Sequence, residues 1–287
     1  MREFSRIGVV GCGLMGSGIA EVCVRAGLDV KVAERGEEAL AAGRSRIVAS
    51  LDRGLRSGKL SEPERQAALD SLAFTVDLDE LADRDLVIEA VAELPDVKTT
   101  VFKELDRVLA GSDAVIASNT SSIPIIDLAA VTGRPQQVVG VHFFNPVPVQ
   151  RLVEIIPTQL TSDAVTEQVT AFAANIRGKT VVLARDRAGF VVNALLIPYL
   201  VSAVRMLESG VASAEDIDNG MVLGCAHPMG PLRLLDLIGL DTAQSIAESM
   251  YEEYKEPLYA PPPLLRRMVA AGALGRKSGR GFYAYGD

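Results

Sequence analysis

The chain has 287 residues, of which 48% are hydrophobic and 23% charged, and its formal net charge is −8. There is enough apolar material for one large domain or two smaller ones. An acidic balance without long like-charge blocks excludes an electrostatic footprint for nucleic acid or an anionic membrane surface.

The N-terminal segment MREFSRIGVVGCG enters a strand pattern within a few residues, which leaves no room for a secretory leader. No apolar run reaches the ~18–20 residues of a membrane span. Cys12, Cys23 and Cys225 lack paired spacing, so neither a disulfide framework nor a metal site is expected, and a reducing cytoplasm is the expected location. Up to about residue 185 the runs FSRIGVV, LDVKVAE, DLVIEAV, AVIAS, QQVVGVHF, RLVEIIP and TVVLA alternate with longer amphipathic stretches. This alternation predicts an α/β domain built on a mainly parallel sheet covered on both faces. After Asp186 the strand-like runs stop. GFVVNALLIPYLVSAVRMLESG reads as a buried helix kinked at Pro198, SAED at 213–216 as a capping box, and APPP at 260–263 as a rigid connector. The expected division is an α/β domain over 1–187 and a smaller all-α domain over 188–287.

The first strand runs into GCGLMG, in which Gly11, Gly13 and Gly16 match GxGxxG; a helix follows, and the second strand ends at Glu34. The glycines allow a tight turn, a close approach of backbone to a pyrophosphate, and close helix–strand packing. Glu34 would accept hydrogen bonds from the adenosine ribose and repel a 2′-phosphate, which favours NAD over NADP, although Arg35 softens that preference. In VIEAVAELPDVKTTVFKEL the strand is expected to deliver Glu93 to its carboxyl end, with Lys98 in the first turns of the next helix.

His142 is one of two histidines and the candidate acid–base group, because an imidazole exchanges protons near neutral pH. The proline-rich turn NPVPVQ would bring Glu154 back beside it on a returning strand, where a carboxylate fixes the ring tautomer. His227 reads instead as a packed core residue. Asn119, Ser121 and Asn193 are polar groups in apolar surroundings that need partners, and a substrate or nicotinamide would supply them as well as a cap or a buried amide contact would. Between the second strand and Phe74 lies a long helical insertion in which Arg44, Arg46, Arg53, Arg56 and Lys59 outnumber Asp52. It is expected to form a mobile arm meeting a phosphorylated ligand or, equally, a solvated helix face.

Together the segments GxGLMGxGIA, VIEAVAE, ASNTSS, HFFNPVPV followed by LVEI, GFVVN, HPMGPLRLLDLIGLD and GRKSGRGFYAY resemble the 3-hydroxyacyl-CoA dehydrogenases over essentially the whole chain. The resemblance implies a Rossmann-like domain with a CoA-binding arm (about 37–73), a helical domain that dimerises, and NAD-linked interconversion of an L-3-hydroxyacyl-CoA and its 3-ketoacyl-CoA. It implies His142 as catalytic base with Glu154 as partner, and Ser121 and Asn193 as catalytic and substrate-binding groups. It places the cofactor on Gly11, Gly13, Leu14, Met15, Gly16, Glu34, Glu93, Lys98, Asn119, Ser121, Asn145 and Lys277. Coenzyme A is expected at Ser50, with Arg56 or Lys59 replacing the family's arm lysine, and Asn145 is expected to serve the substrate too. Glu34 departs from the family's usual Asp, and Gln150, Arg151 and Ala194 depart from its usual residues. Two other readings are an oxidoreductase of free hydroxy acids or sugar acids, whose relatives carry HPxNPP where this chain has HFFNPVP, and a non-catalytic NAD(H)-binding protein.

Overall fold

The computed structural model describes residues 3–286. The chain divides into two compact units, 1–186 and 187–287. The first is built on an eight-stranded sheet of order β3-β2-β1-β4-β5-β6-β7-β8. Its strands are β1 (Arg6–Val10), β2 (Asp29–Ala33), β3 (Leu72–Thr75), β4 (Leu86–Glu89), β5 (Val115–Ser118), β6 (Val138–Phe143), β7 (Leu152–Pro157) and β8 (Thr180–Leu183). The pairs among β1 to β6 are all parallel, β7 runs antiparallel to β6, and β8 is parallel to β7. The order 3-2-1-4-5-6 reverses direction at β1, so a crevice opens at the carboxyl ends of β1 and β4. β4, β5 and β6 are buried along their whole length, which is why they are continuous apolar runs and not alternating ones.

Helices α1 (Leu14–Arg25), α2 (Glu37–Arg56), α3 (Glu62–Asp70), α4 (Pro95–Val108), α5 (Ile125–Ala130) and α6 (Asp163–Asn175) connect the strands. The insertion between β2 and β3 is the pair α2–α3, packed on α1. Gly43, Ile47 and Leu51 recur at helical spacing on the buried face of α2, and Ile47, Leu51, Leu60 and Ala68 join the main core. The insertion is therefore a docked helical layer with its basic side chains on an outward, solvated face. A true capping box starts α3: Glu64 N–H donates to Ser61 Oγ while Ser61 N–H donates to the Glu64 carboxylate.

At the amino-terminal edge of the sheet, the Asp85 carboxylate accepts from the backbone N–H groups of Ser5 (3.1 Å) and Arg6 (3.0 Å), from Ser5 Oγ and from Arg6 Nη2 (2.9 Å). Burial pushes this carboxyl up, but the hydrogen bonds of Arg6 and Ser5 outweigh it and hold it well below the usual carboxylate range. A group depressed in the folded state stabilises fully above its unfolded value of ~3.9 and loses that contribution as pH falls. Asp85→Asn is expected to cost about 1–3 kcal/mol at neutral pH. The gap in melting temperature from the parent should narrow as the pH drops below about 4. A gap that stays constant into acid would show that the Asp85 charge contributes nothing.

The second unit comprises α7 (Val192–Glu208), α8 (Ala214–Cys225), α9 (Pro231–Ile238), α10 (Leu240–Tyr254) and α11 (Pro263–Ala270) around a separate apolar core. α7 continues past Pro198 without ending there. Ser213 caps α8 by accepting from Asp216 N–H, as a single cap with a side-chain contact to the Asp216 carboxylate. Among the described residues no helix is long and apolar enough to cross a membrane.

Candidate active site

The glycine turn closes β1 onto α1 by contacts that exclude side chains. Gly11 has φ +89°, and a Cβ there would lie 2.8 Å from the Ala90 carbonyl oxygen; at Gly16 it would lie 1.8 Å from the Gly11 oxygen. Gly13 is different: among the described residues, its chain neighbours aside, nothing lies within 4 Å of a Cβ built on it. It precedes α1, whose amino end has no side-chain cap, so open space meets a helix N-terminus where a pyrophosphate needs both. Leu14, Met15 and Gly16 form the first turn, with Leu14 65% exposed.

Glu34 follows β2 and bends back over this turn, accepting from the N–H of Cys12 at 2.6 Å and of Arg35 at 3.1 Å. Arg46 of α2 donates to the Cys12 carbonyl at 2.9 Å, tying the insertion to the same turn. Burial and then the Glu34 charge push the Cys12 thiol up to about 12, so it stays protonated and unreactive. A carboxylate beside the turn and an open glycine in it fit a dinucleotide with a free ribose 2′-hydroxyl.

At the end of β4 the structure departs from the expected placement. The strand stops at Glu89, and Glu93 lies in the loop beyond it. Lys98, in the first turns of α4, is 1% exposed; its Nζ donates to Glu89 Oε1 at 2.7 Å and stands 3.1 Å from Glu93 Oε2. Glu89, itself fully buried, also accepts from Val91 N–H (2.7 Å) and from Ser118 Oγ at the end of β5 (2.7 Å). Glu93 Oε1 gathers the loop after β5, accepting from Thr120 Oγ1 (2.5 Å), Ser121 N–H (2.8 Å), and Ser122 N–H and Oγ (3.2 and 3.1 Å). Burial raises the Glu93 carboxyl, and the Lys98 charge with the Thr120 and Ser121 hydrogen bonds brings it below its ordinary value. Asn119 Oδ1 accepts from Phe143 N–H at 2.9 Å, which locks the loop to β6.

His142 on β6 faces Glu154 on β7 directly across the antiparallel pair. Nδ1 lies 2.7 Å from Glu154 Oε2, with the histidine 6% exposed and the glutamate fully buried. A carboxylate only accepts, so it places the ring hydrogen on Nδ1. The Phe144 ring packs at 4.5 Å from the imidazole centroid. The intervening loop is held at both ends: Val147 is buried against Gly18 of α1, and Lys179 Nζ donates to the carbonyls of Val147 and Gln150. Asn145, at the tip of β6, is exposed.

The first unit thus collects Gly11, Gly13, Gly16, Glu34, Glu93, Asn119, Ser121, Asn145 and His142 at or beyond the carboxyl ends of its strands, brings Glu154 beside His142 from the amino-terminal half of the antiparallel β7, and buries Lys98 beneath them. On α2, Ser50 is half-buried and Arg53 and Arg56 are exposed, as is Lys59 in the turn that follows. In the second unit Asn193 is 7% exposed in the first turn of α7, and Lys277 pairs with Asp241 at 2.7 Å. His227 is half-buried with Nδ1 3.2 Å from Tyr199 Oη, and so is not a packed core residue. The residues not singled out beforehand are Glu89, Ser118, Thr120 and Ser122; a glutamate in an otherwise apolar strand was the available signal for the first.

Comparison with known proteins agrees with this geometry. The NAD-binding domain of 3-hydroxyacyl-CoA dehydrogenase matches residues 6–187, and the C-terminal domain of the same family matches 189–285. A 3-hydroxybutyryl-CoA dehydrogenase of Mycobacterium tuberculosis is 60% identical over 280 residues, covering 98% of each chain. The crystal structure of M. tuberculosis FadB2 superposes with a TM-score of 0.97 at 58% identity, covering 99% of this chain and 100% of that one. The (S)-3-hydroxybutyryl-CoA dehydrogenase PaaH1 of Ralstonia eutropha superposes with a TM-score of 0.94 at 44% identity, with the same coverage. The chain belongs to the 3-hydroxyacyl-CoA dehydrogenase family, and its first unit is that family's NAD-binding domain.

Proposed function

We propose that the protein interconverts a short-chain L-3-hydroxyacyl-CoA, 3-hydroxybutyryl-CoA first among them, and the corresponding 3-ketoacyl-CoA. The observation that carries this reading is the buried His142–Glu154 pair at 2.7 Å on the sheet that ends in the dinucleotide turn. NAD, when bound, supplies the hydride acceptor or donor. With its hydrogen on Nδ1, His142 presents Nε2 as the base that takes the 3-hydroxyl proton, and the resulting imidazolium is stabilised by Glu154. In the reducing direction the same imidazolium returns the proton. Ser121 serves the substrate, and Asn119, Asn145 and Glu93 serve the cofactor; in the second unit, the family resemblance supplies a substrate role for Asn193 and a cofactor role for Lys277. Ser50, Arg56 and Lys59 meet the phosphates of coenzyme A on the outward face of α2, where basic side chains stand in an otherwise acidic protein. The second unit leaves Leu195, Leu223 and Leu237 exposed at 74%, 83% and 50%, which supports a homodimer formed through it. Its place of work is the cytoplasm.

The test is steady-state oxidation of NADH and of NADPH with acetoacetyl-CoA, longer 3-ketoacyl-CoAs and free acetoacetate, and reduction of NAD with gulonate. The expected result is turnover of acetoacetyl-CoA with NADH far above that of either free acid, and slower turnover with NADPH. Equal turnover of the free acids would move the protein to hydroxy-acid chemistry, and NADH binding without turnover of any 3-ketoacyl-CoA would make it a binding protein.

A further inference from the structure

Lys98 is 1% exposed and stands between two carboxylates. Its ammonium lies in the interior, between a fully buried carboxylate at the end of β4 and a carboxylate in the loop beyond. A buried charge is costly unless paired and hydrogen-bonded, and removing one partner of such a set is far worse than replacing the whole set by neutral groups. Apart from the Val91 N–H, which donates to Glu89, the connections lead towards one segment. Glu89 holds Lys98 and Ser118, Lys98 faces Glu93, and Glu93 takes hydrogen bonds from Thr120, Ser121 and Ser122.

We propose that Glu89 and Lys98 are positioning residues: Lys98, aimed by Glu89, is the fixed counter-charge that keeps Glu93 ionised so that Glu93 holds residues 119–122 in the shape that receives the nicotinamide cofactor. The inference rests on the functional reading above and deepens it. An ionised carboxylate is acceptor-only, so its Oε1 satisfies several donors of the loop at once; a protonated one presents a donor of its own and loses part of that capacity. Lys98 from α4 is the charged group that lowers Glu93, the loop after β5 faces it with hydroxyls and amides, and β4 contributes Glu89 through Lys98. Without Lys98, burial is left opposed only by the loop's hydrogen bonds, and Glu93 takes up a proton at higher pH.

The experiment measures NADH binding by fluorescence as a function of pH, which keeps the chemistry of His142 out of the readout. The isoelectric variant Glu89→Gln/Lys98→Met removes the buried pair together, so the interior is not left with a lone charge. Its NADH dissociation constant is expected to rise about tenfold or more from about pH 8 to about pH 6, where the parent changes little. Adding Glu93→Gln keeps the acceptor oxygen and removes the titration; this triple variant is expected to bind in a pH-independent manner. A role confined to stability would lower the melting temperature without moving the pH profile. Parent-like pH dependence in the folded double variant overturns the inference, as does weak, pH-sensitive binding by the triple variant, which stands as a test even if the double variant does not fold. A parent protein that binds no NADH at all removes the functional reading itself.

Discussion

His142→Gln is expected to lower kcat for acetoacetyl-CoA by about 10³ while leaving NADH affinity unchanged, because a positioned acid–base group contributes ~10²–10⁴ to the rate. Glutamine is close in reach to imidazole but neither takes nor returns a proton near neutral pH. Glu154→Gln should cost about 10² or more by another route. Its amide keeps the 2.7 Å contact with Nδ1 but offers an N–H there, which allows the wrong ring tautomer and leaves the imidazolium without a counter-charge. Both losses should fall on kcat and on kcat/KM alike, since the proton is transferred only in the transition state. The two substitutions together should cost little more than His142→Gln alone, because the carboxylate acts only through the ring. The check is a double-mutant cycle with kcat and NADH titration for each protein. Near-parental turnover by His142→Gln would end the assignment; additive losses would mean that Glu154 has a role independent of the imidazole.

The hairpin that joins these two residues was legible because its signals are local. Apolar runs on both sides of a proline-rich turn imply strands that return on themselves, and the register then sets His142 opposite Glu154. The glycine turn and the acid after β2 were legible for the same reason, since spacing along one βαβ unit defines them. The burial of Lys98 was not, because a charge at a helix start looks solvated, and only the meeting of β4, α4 and the loop after β5 encloses it. Nor was the return of Glu34 onto the Cys12 N–H, which depends on how α2 lies against the turn. The insertion shows a competition of signals. Its basic residues suggested a mobile arm or, equally, a solvated helix face, while Gly43, Ile47 and Leu51 carried the helical spacing of a buried face, and that face decided how it packs. The class change near residue 186 was visible as the end of the β-branched runs, and the chain also divides into compact units there.

Adding one methyl group at Gly16 should abolish NADH binding and cost at least about 3 kcal/mol of stability, whereas the same change at Gly13 should abolish binding almost alone. At Gly16 the new Cβ would lie 1.8 Å from the Gly11 carbonyl oxygen and 2.9 Å from its carbon. These are backbone atoms in the tightest part of the β1–α1 connection, so no rotamer change relieves the clash; strand and helix must separate, and the turn loses its shape. At Gly13 the described residues, its chain neighbours aside, offer no obstacle within 4 Å, and φ of −68° suits alanine. Exchanging glycine for alanine at a helix N-cap costs about 1 kcal/mol at most, so Gly13→Ala should melt close to the parent. The space its methyl group enters is the one in which a pyrophosphate would approach the backbone at the head of α1. Loss of NADH affinity by Gly13→Ala with little change in melting temperature would therefore locate the phosphates at that turn, separately from any effect on folding. If Gly13→Ala binds NADH as the parent does, the phosphates lie elsewhere, and the openness at Gly13 has no bearing on the cofactor.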